Sequence, residues 1–348
     1  MRESFNSQLL VAVAGLNNAD AEITAPPDLA IPNLLGQITF GRIRPAAVAA
    51  APSQHVYASV LFPSASFCAE QWWTRKIPYA ESDSGIQLHS TDDLMFGVIE
   101  VEERAIGAEG VPSSLQDAAE LAYKKLFSLL ENRGYGYLWR VWNYMGDING
   151  VTHGVERYQQ FNAGRQKGFA SSDRSLIGNV PVACAIGVQS NVLSLGFLAA
   201  RSPATAIENP RQISAYHYPA KYGSRSPTFS RASLAKLTHQ ELFLLSGTAS
   251  ILGHQSVHLG SAQLQTIETL ANIDALLEQA NLISPAHHAY SLKDLSLRIY
   301  IRHKNDFDTI KKVMTDRLGA RHQATYVEAA ICRSDLLVEI EGIASRAI

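Results

Sequence analysis

Residues 324–345, ATYVEAAICRSDLLVEIEGIAS, read as two strands joined at Arg333-Ser334-Asp335. The second half alternates. Leu336, Val338 and Ile340 point one way; Leu337, Glu339, Glu341 and then Ile343 point the other. The same order stands earlier in the chain. Residues 182–200, VACAIGVQSNVLSLGFLAA, read as a strand, a turn at Gln189-Ser190-Asn191, and a second strand.

What precedes each pair matches too. Residues 113–135, SSLQDAAELAYKKLFSLLENRGY, predict a helix that Ser113 or Ser114 can cap and Gly134 can close. A strand over 137–145 and a helix over 154–170 follow. In the second half, a strand over 241–252 bends at Gly247. An amphipathic helix over 261–281, a strand over 295–303 and a helix over 306–319 complete the series. This predicts an internal duplication of a β-α-β-α-β-β unit. Each copy places two helices on one face of a mixed sheet, an α+β arrangement. The units divide at 203/204, giving 1–203 and 204–348. The first hundred residues read as strands over 8–15, 38–42, 55–62 and 94–102, separated by proline-containing stretches such as 25–32. Residues 201–230, rich in Pro, Ser and Tyr, either join the copies or line a cleft between them.

The 348 residues are 46% hydrophobic and 18% charged, with a net charge of -2. That is globular composition with no electrostatic pull toward nucleic acid or a membrane surface. The three cysteines, Cys68, Cys184 and Cys332, are far apart. They read as free thiols in a reducing compartment rather than a disulfide framework or a zinc cluster. No segment approaches the ~18 apolar residues of a membrane span, and the apolar run near the N-terminus lacks a cleavage pattern. The expectation is a cytoplasmic protein, neither membrane-bound nor nucleic-acid-bound.

No nucleotide-binding loop, zinc-protease helix or nucleophile elbow is present. His254 and His258 lie four apart, but no carboxylate or cysteine nearby completes a metal site, so no metal is expected. Tyr158 and Arg165 are two helical turns apart, on one face. The stretch SAYHYPAKYGSRSPTFSRA carries Tyr216, Tyr218, Tyr222, Arg225 and Arg231 in a loop. Arginine forks and tyrosine rings suit an anionic ligand with a flat ring, and ordinary loop packing is the other reading. A carboxylate beside Leu337 and Ile343 stands either at a wet edge or in a pocket. In a pocket, desolvation raises its pKa and fits it to act as a general acid. Alternation alone does not choose between Glu339 and Glu341.

The stretches LWRVWNYMGDIN…GVERYQQFNAGRQKGF, LLSGTASILGHQSVHLGSAQLQTIETLANIDALL and EAAICRSDLLVEIEG together resemble the bacterial chorismatases, nearest the hydroxybenzoate-forming branch. The resemblance runs from about residue 135 onward. It implies a tandem of YjgF/RidA-like units, similar also to the AroH type of chorismate mutase. It implies a cofactor-free site, mostly on the C-terminal unit, that removes pyruvate from chorismate to give 3-hydroxybenzoate, 4-hydroxybenzoate or both. Tyr158, Arg165, Tyr218 and Arg231 would bind substrate, and Glu339 would be the catalytic acid. Cys332 resembles the cysteine of the 3-hydroxybenzoate-forming branch, and the Ser246–Ala249 turn a second product-determining region. Glu341, nearer the strand end, is expected to tolerate replacement better than Glu339. The alternatives are a chorismatase that hydrolyses chorismate to a dihydroxycyclohexadiene carboxylate, a non-catalytic binder of small anions on the same fold, and a Rid-type deaminase. A duplicated chain can close its own core, so a monomer is expected.

Overall fold

Three sheets meet in the computed structural model, which describes residues 9–16, 29–45, 51–63, 65–103, 114–178 and 180–348. Gln8 and Ser113, named above as a strand start and an alternative cap, lie outside them. The second sheet is ordered Ala330–Ile331, Val182–Val188, Tyr137–Gly146, Val192–Ala200, Leu94–Glu102, Ile86–Ser90, Tyr79–Asp83. The third is ordered Ala204–Ile207, Ala232–Leu237, Gln240–Ala249, Val338–Ala347, Ser296–Ile301, Ala324–Glu328, Ser59–Phe62.

The duplication is visible in the pairing. Tyr137–Gly146 runs parallel to Val182–Val188 and antiparallel to Val192–Ala200. Ser296–Ile301 runs parallel to Ala324–Glu328 and antiparallel to Val338–Ala347. The tandem α+β expectation is met. Leu9–Leu16, Phe67–Thr74, Leu34–Gly41 and Ser53–Tyr57 form a separate four-stranded sheet that repeats the strand part of the pattern.

Two readings change. The strand expected over 55–62 is two strands, Ser53–Tyr57 and Ser59–Phe62, which belong to different sheets. The strands flanking the Gln189 and Arg333 turns are not neighbours, because a central strand lies between them in each sheet. After Glu328 the chain leaves its own sheet. Ala330 and Ile331 pair with Gly187 and Ile186 at the edge of the other. That crossing carries Cys332 and Arg333 to the seam between the units.

The helices form for local reasons. Helix α1 (Leu115–Arg133) begins with a capping box between Ser114 and Asp117 and ends at Gly134 in the left-handed conformation. Helix α2 spans Arg157–Ser171. Helix α3 (Ala262–Ile283) is capped by the Ser261 hydroxyl, and α4 spans Phe307–Leu318. Helices α1 and α2 bury Leu126, Phe127, Phe161 and Phe169 against the second sheet. Helices α3 and α4 bury Leu276, Ile310 and Met314 against the third. The inner faces of all three sheets share one core that includes Phe40, Trp72, Phe96, Trp142, Tyr144, Tyr300 and Val327. Each fully buried aliphatic or Phe side chain there contributes ~1.5–3 kcal/mol. Among the described residues no helix is long and apolar enough to cross a membrane.

Candidate active site

Glu339 and Glu341 lie on one strand of the third sheet, two residues apart and both on its inner face. Glu341 pairs across the ladder with Arg298, and Glu339 with Tyr300. In the first unit the residue opposite Tyr144 is Ser194, and the residue opposite Trp142 is Gly196. Tyr144 and Tyr300 are counterparts whose hydroxyls meet at 2.6 Å. Only the second unit therefore carries carboxylates at these two positions.

The two carboxyls have opposite surroundings. Glu341 is 1% exposed. Arg140 Nη2 donates to its Oε2 at 2.9 Å, and the Tyr300 hydroxyl and Arg298 donate to its Oε1. Burial pushes this carboxyl up, but Arg298 and Arg140 outweigh burial and hold it below the ordinary carboxylate range. Glu339 is 3% exposed, and its carboxyl has no hydrogen-bond partner among the described residues. Burial, reinforced by the charge on Glu341 and opposed by Arg302, pushes it up to about 8. One carboxylate is fixed in charge and its neighbour is kept neutral near pH 7, the separation that divides structural from acid–base roles.

The space in front of Glu339 comes from the facing strand. Leu245 pairs with Gly342 and Thr248 with Ile340, so Ser246 and Gly247 together oppose Glu341 in a bulge. A Cβ at Gly247 would stand 1.9 Å from Glu339 Oε1, so a larger residue there would push the carboxyl out of its place. The Ser246 hydroxyl ties the bulge to the first unit. It donates to the Ser230 carbonyl at 2.5 Å and accepts from the Ala183 amide at 2.9 Å.

A cavity of about 240 Å³ opens here. Glu156 and Tyr158, at the start of α2, form one wall. Tyr218, Tyr222, Phe229 and Arg231 form a second; Gly247 and Ala249 a third; Cys332, Arg333 and Glu339 the last. Residues 201–230 thus line a cleft as well as join the units. Arg231 Nη2 donates to the Tyr218 hydroxyl and to the Ile213 carbonyl, both at 2.8 Å. The Arg333 guanidinium lies 4.0 Å from the Tyr222 ring centroid and 5.2 Å from that of Tyr218. Burial pushes the Cys332 thiol up to about 12, so it stays protonated.

Most of the expected residues meet in this cavity: Tyr158, Tyr218, Arg231, Cys332 and Glu339. Arg165 does not line it. Its side chain is buried, and Nη2 donates to Asn162 Oδ1 at 2.7 Å. Arg165 Nε and Asn162 Nδ2 are buried donors with no acceptor among the described residues. Arg225 is exposed, and neither it nor Tyr216 is on the wall. His254 and His258 do not share a helix: His254 meets Tyr222 and His258 meets Glu268. Sequence reasoning missed Lys221 and Arg333, both on the wall. The available signal for Arg333 was its place beside Cys332. A groove of about 750 Å³ elsewhere is larger, but its Arg157 and Glu103 neutralise each other in a bidentate pair.

Three cations around a neutral carboxylic acid can hold a small polyanion and hand it a proton. Such an arrangement suits a small anionic ligand. The sequence comparisons agree. The family model described as chorismatase FkbO/Hyg5-like, N-terminal, matches residues 70–199. A 3-hydroxybenzoate synthase of Streptomyces hygroscopicus is 37% identical over 238 residues, 65% of this chain and 69% of that protein. A chorismatase of the same organism is 33% identical over 278 residues, 79% of this chain and 78% of that one. A chorismatase crystal structure, 29% identical, covers 97% of this chain and 98% of its own with a TM-score of 0.84. The chain belongs to the chorismatase family.

Proposed function

We propose that this enzyme cleaves chorismate to pyruvate and 3-hydroxybenzoate, 4-hydroxybenzoate or both, with Glu339 as the general acid. The observation that carries the proposal is a neutral, unbonded Glu339 facing a cavity walled by Lys221, Arg231 and Arg333. Chorismate carries one carboxylate on its ring and one on its enolpyruvyl arm. The cations hold the two carboxylates, and the Tyr218 and Tyr222 rings offer a surface to the flat ring. Glu339 gives its proton to the enolpyruvyl methylene carbon. The cation formed at the adjoining carbon makes the ether oxygen a leaving group. Pyruvate departs with the ether oxygen as its keto oxygen. Loss of the ring proton at C4 then gives 4-hydroxybenzoate. For 3-hydroxybenzoate, the neighbouring 4-hydroxyl oxygen bonds to C3 as pyruvate leaves, its proton going to the conjugate base. Protonation of that oxygen, with cleavage of its bond to C4 and loss of the C3 proton, makes the ring aromatic. No water is consumed, so the products together contain the atoms of the substrate. A pure binder of a dianion would gain nothing from a carboxyl group facing its ligand.

Arg165 stays in the proposed binding set; behind the cavity wall, its Nε is a buried donor with no acceptor among the described residues. The proposed division of the chain is at 203/204, with most of the cavity on the second unit. The shared core of the three sheets supports action as a monomer. The free thiols of Cys68, Cys184 and Cys332 support a cytoplasmic location.

Incubation with chorismate, reading pyruvate and aromatic products by chromatography, tests the reading; absence of pyruvate would end it. Two variants refine it. Arg231→Ala removes a charge-assisted pair worth ~1.5–3 kcal/mol and should raise KM for chorismate accordingly while the fold survives. An unchanged KM would take Arg231 out of the site. Cys332→Ala should still release pyruvate but make less 3-hydroxybenzoate, because the thiol stands in the cavity without being activated as a nucleophile. Equal product ratios would leave Cys332 a structural thiol. A shift from aromatic products to a diene diol in the wild type would favour the hydrolytic alternative.

A further inference from the structure

Between Ile331 and Val338 the chain has no ladder partner, yet it carries Cys332 and Arg333 into the cavity wall. Its backbone is held by Arg302, the residue after strand Ser296–Ile301. Arg302 Nε donates to the Leu336 carbonyl at 2.7 Å. Nη2 donates to the carbonyls of Ile331 at 2.8 Å and Arg333 at 2.6 Å. Nη1 donates to Asn149 Oδ1 at 3.0 Å, and Asn149 Nδ2 donates to the Cys332 carbonyl at 3.3 Å. One guanidinium and one amide thus fix the carbonyls of 331, 332, 333 and 336. Arg302 itself is absent from the cavity wall. It lines the separate groove of about 750 Å³.

We propose that Arg302 is a positioning residue: it sets where Cys332 and Arg333 stand, and through them both chorismate affinity and the partition between products. Only a planar fork with donors on three nitrogens can reach these acceptors at once; an ammonium is a single point and cannot. The part of the proposal that concerns partition rests on the reading of Cys332 given above. The part that concerns affinity rests on Arg333 alone.

The test compares Arg302→Ala, Arg302→Lys and Cys332→Ala, each assayed for pyruvate, for product ratio and for KM, with and without methylguanidinium. The groove beside Arg302 gives that small cation a route to the vacated place. A merely structural loss lowers the fraction of active enzyme, and neither KM nor product ratio depends on that fraction. Arg302→Ala is expected to raise KM several-fold and to shift the ratio in the direction of Cys332→Ala, with added methylguanidinium reversing both. Arg302→Lys should show the same shifts without rescue. If Arg302→Ala does not fold, the lysine variant decides alone: wild-type KM and ratio would overturn the proposal. Normal KM and ratio in Arg302→Ala, or shifts that methylguanidinium leaves untouched, would also overturn it. If Cys332→Ala leaves the ratio unchanged, the reading of Cys332 fails, and KM with its rescue still judges Arg302.

Discussion

Glu339→Gln is expected to bind chorismate and to release pyruvate ~10²-fold or more slowly, the usual scale for loss of a general acid. The amide has the size of the neutral acid it replaces and keeps its polarity, so the cavity and its three cations remain. It has no proton to give to carbon. The geometry makes the variant a clean test. The Glu339 carboxyl has no hydrogen-bond partner to lose among the described residues, and it stands against Gly247 across the bulge. Steady-state release of pyruvate, read beside chorismate binding by calorimetry, measures both halves of the expectation. Near-normal turnover would remove Glu339 from the chemistry.

Glu341→Ala should fail for a different reason. Alternation placed Glu341 near a strand end and suggested tolerance; the structure corrects this. Its carboxylate lies between Arg140 and Arg298 in the centre of the molecule, with Glu70 on the far side of Arg298. Removing one partner of a buried ion pair leaves uncompensated charge and costs ~3–5 kcal/mol. That is a large part of the ~5–15 kcal/mol that holds a domain folded. The expected result is a strongly lowered denaturation midpoint in urea. The pair also gives stability a pH dependence of known sign. A carboxyl held below its unfolded value contributes stability above the ordinary carboxylate range and loses it as pH falls through the folded value. Glu341→Ala should therefore flatten the loss of stability in acid. A variant as stable as the wild type would show that the network is not a structural one.

The contrast between these two glutamates marks how far the sequence can be read. Periodicity put both on one face, which holds. Their difference comes from partners remote in sequence: Arg140 from the first unit, and a bulge at Gly247 on the facing strand. Alternation within one strand does not encode which residue stands opposite in another. The helices were legible because their signals are local, such as the Ser114 capping box and Gly134. Phe67–Thr74, FCAEQWWT, was missed as a strand, because it is buried on both faces and shows no clean alternation. Arg333 was overlooked for a topological reason. It faces the cavity because Ala330 and Ile331 cross to the other sheet, and a crossing leaves no periodic trace.

The most direct test of Glu339 as the proton donor is the pH dependence of kcat/KM for pyruvate release from chorismate by the wild-type enzyme. Glu339 must be protonated to act, and burial pushes its carboxyl up to about 8. The rate should hold through neutral pH and fall above pH about 8 as one proton is lost, with pyruvate and hydroxybenzoate formed in equal amounts. A rate that falls instead in mild acid, with the profile of an ordinary carboxylate, or one that shows no alkaline limb at all, would contradict it.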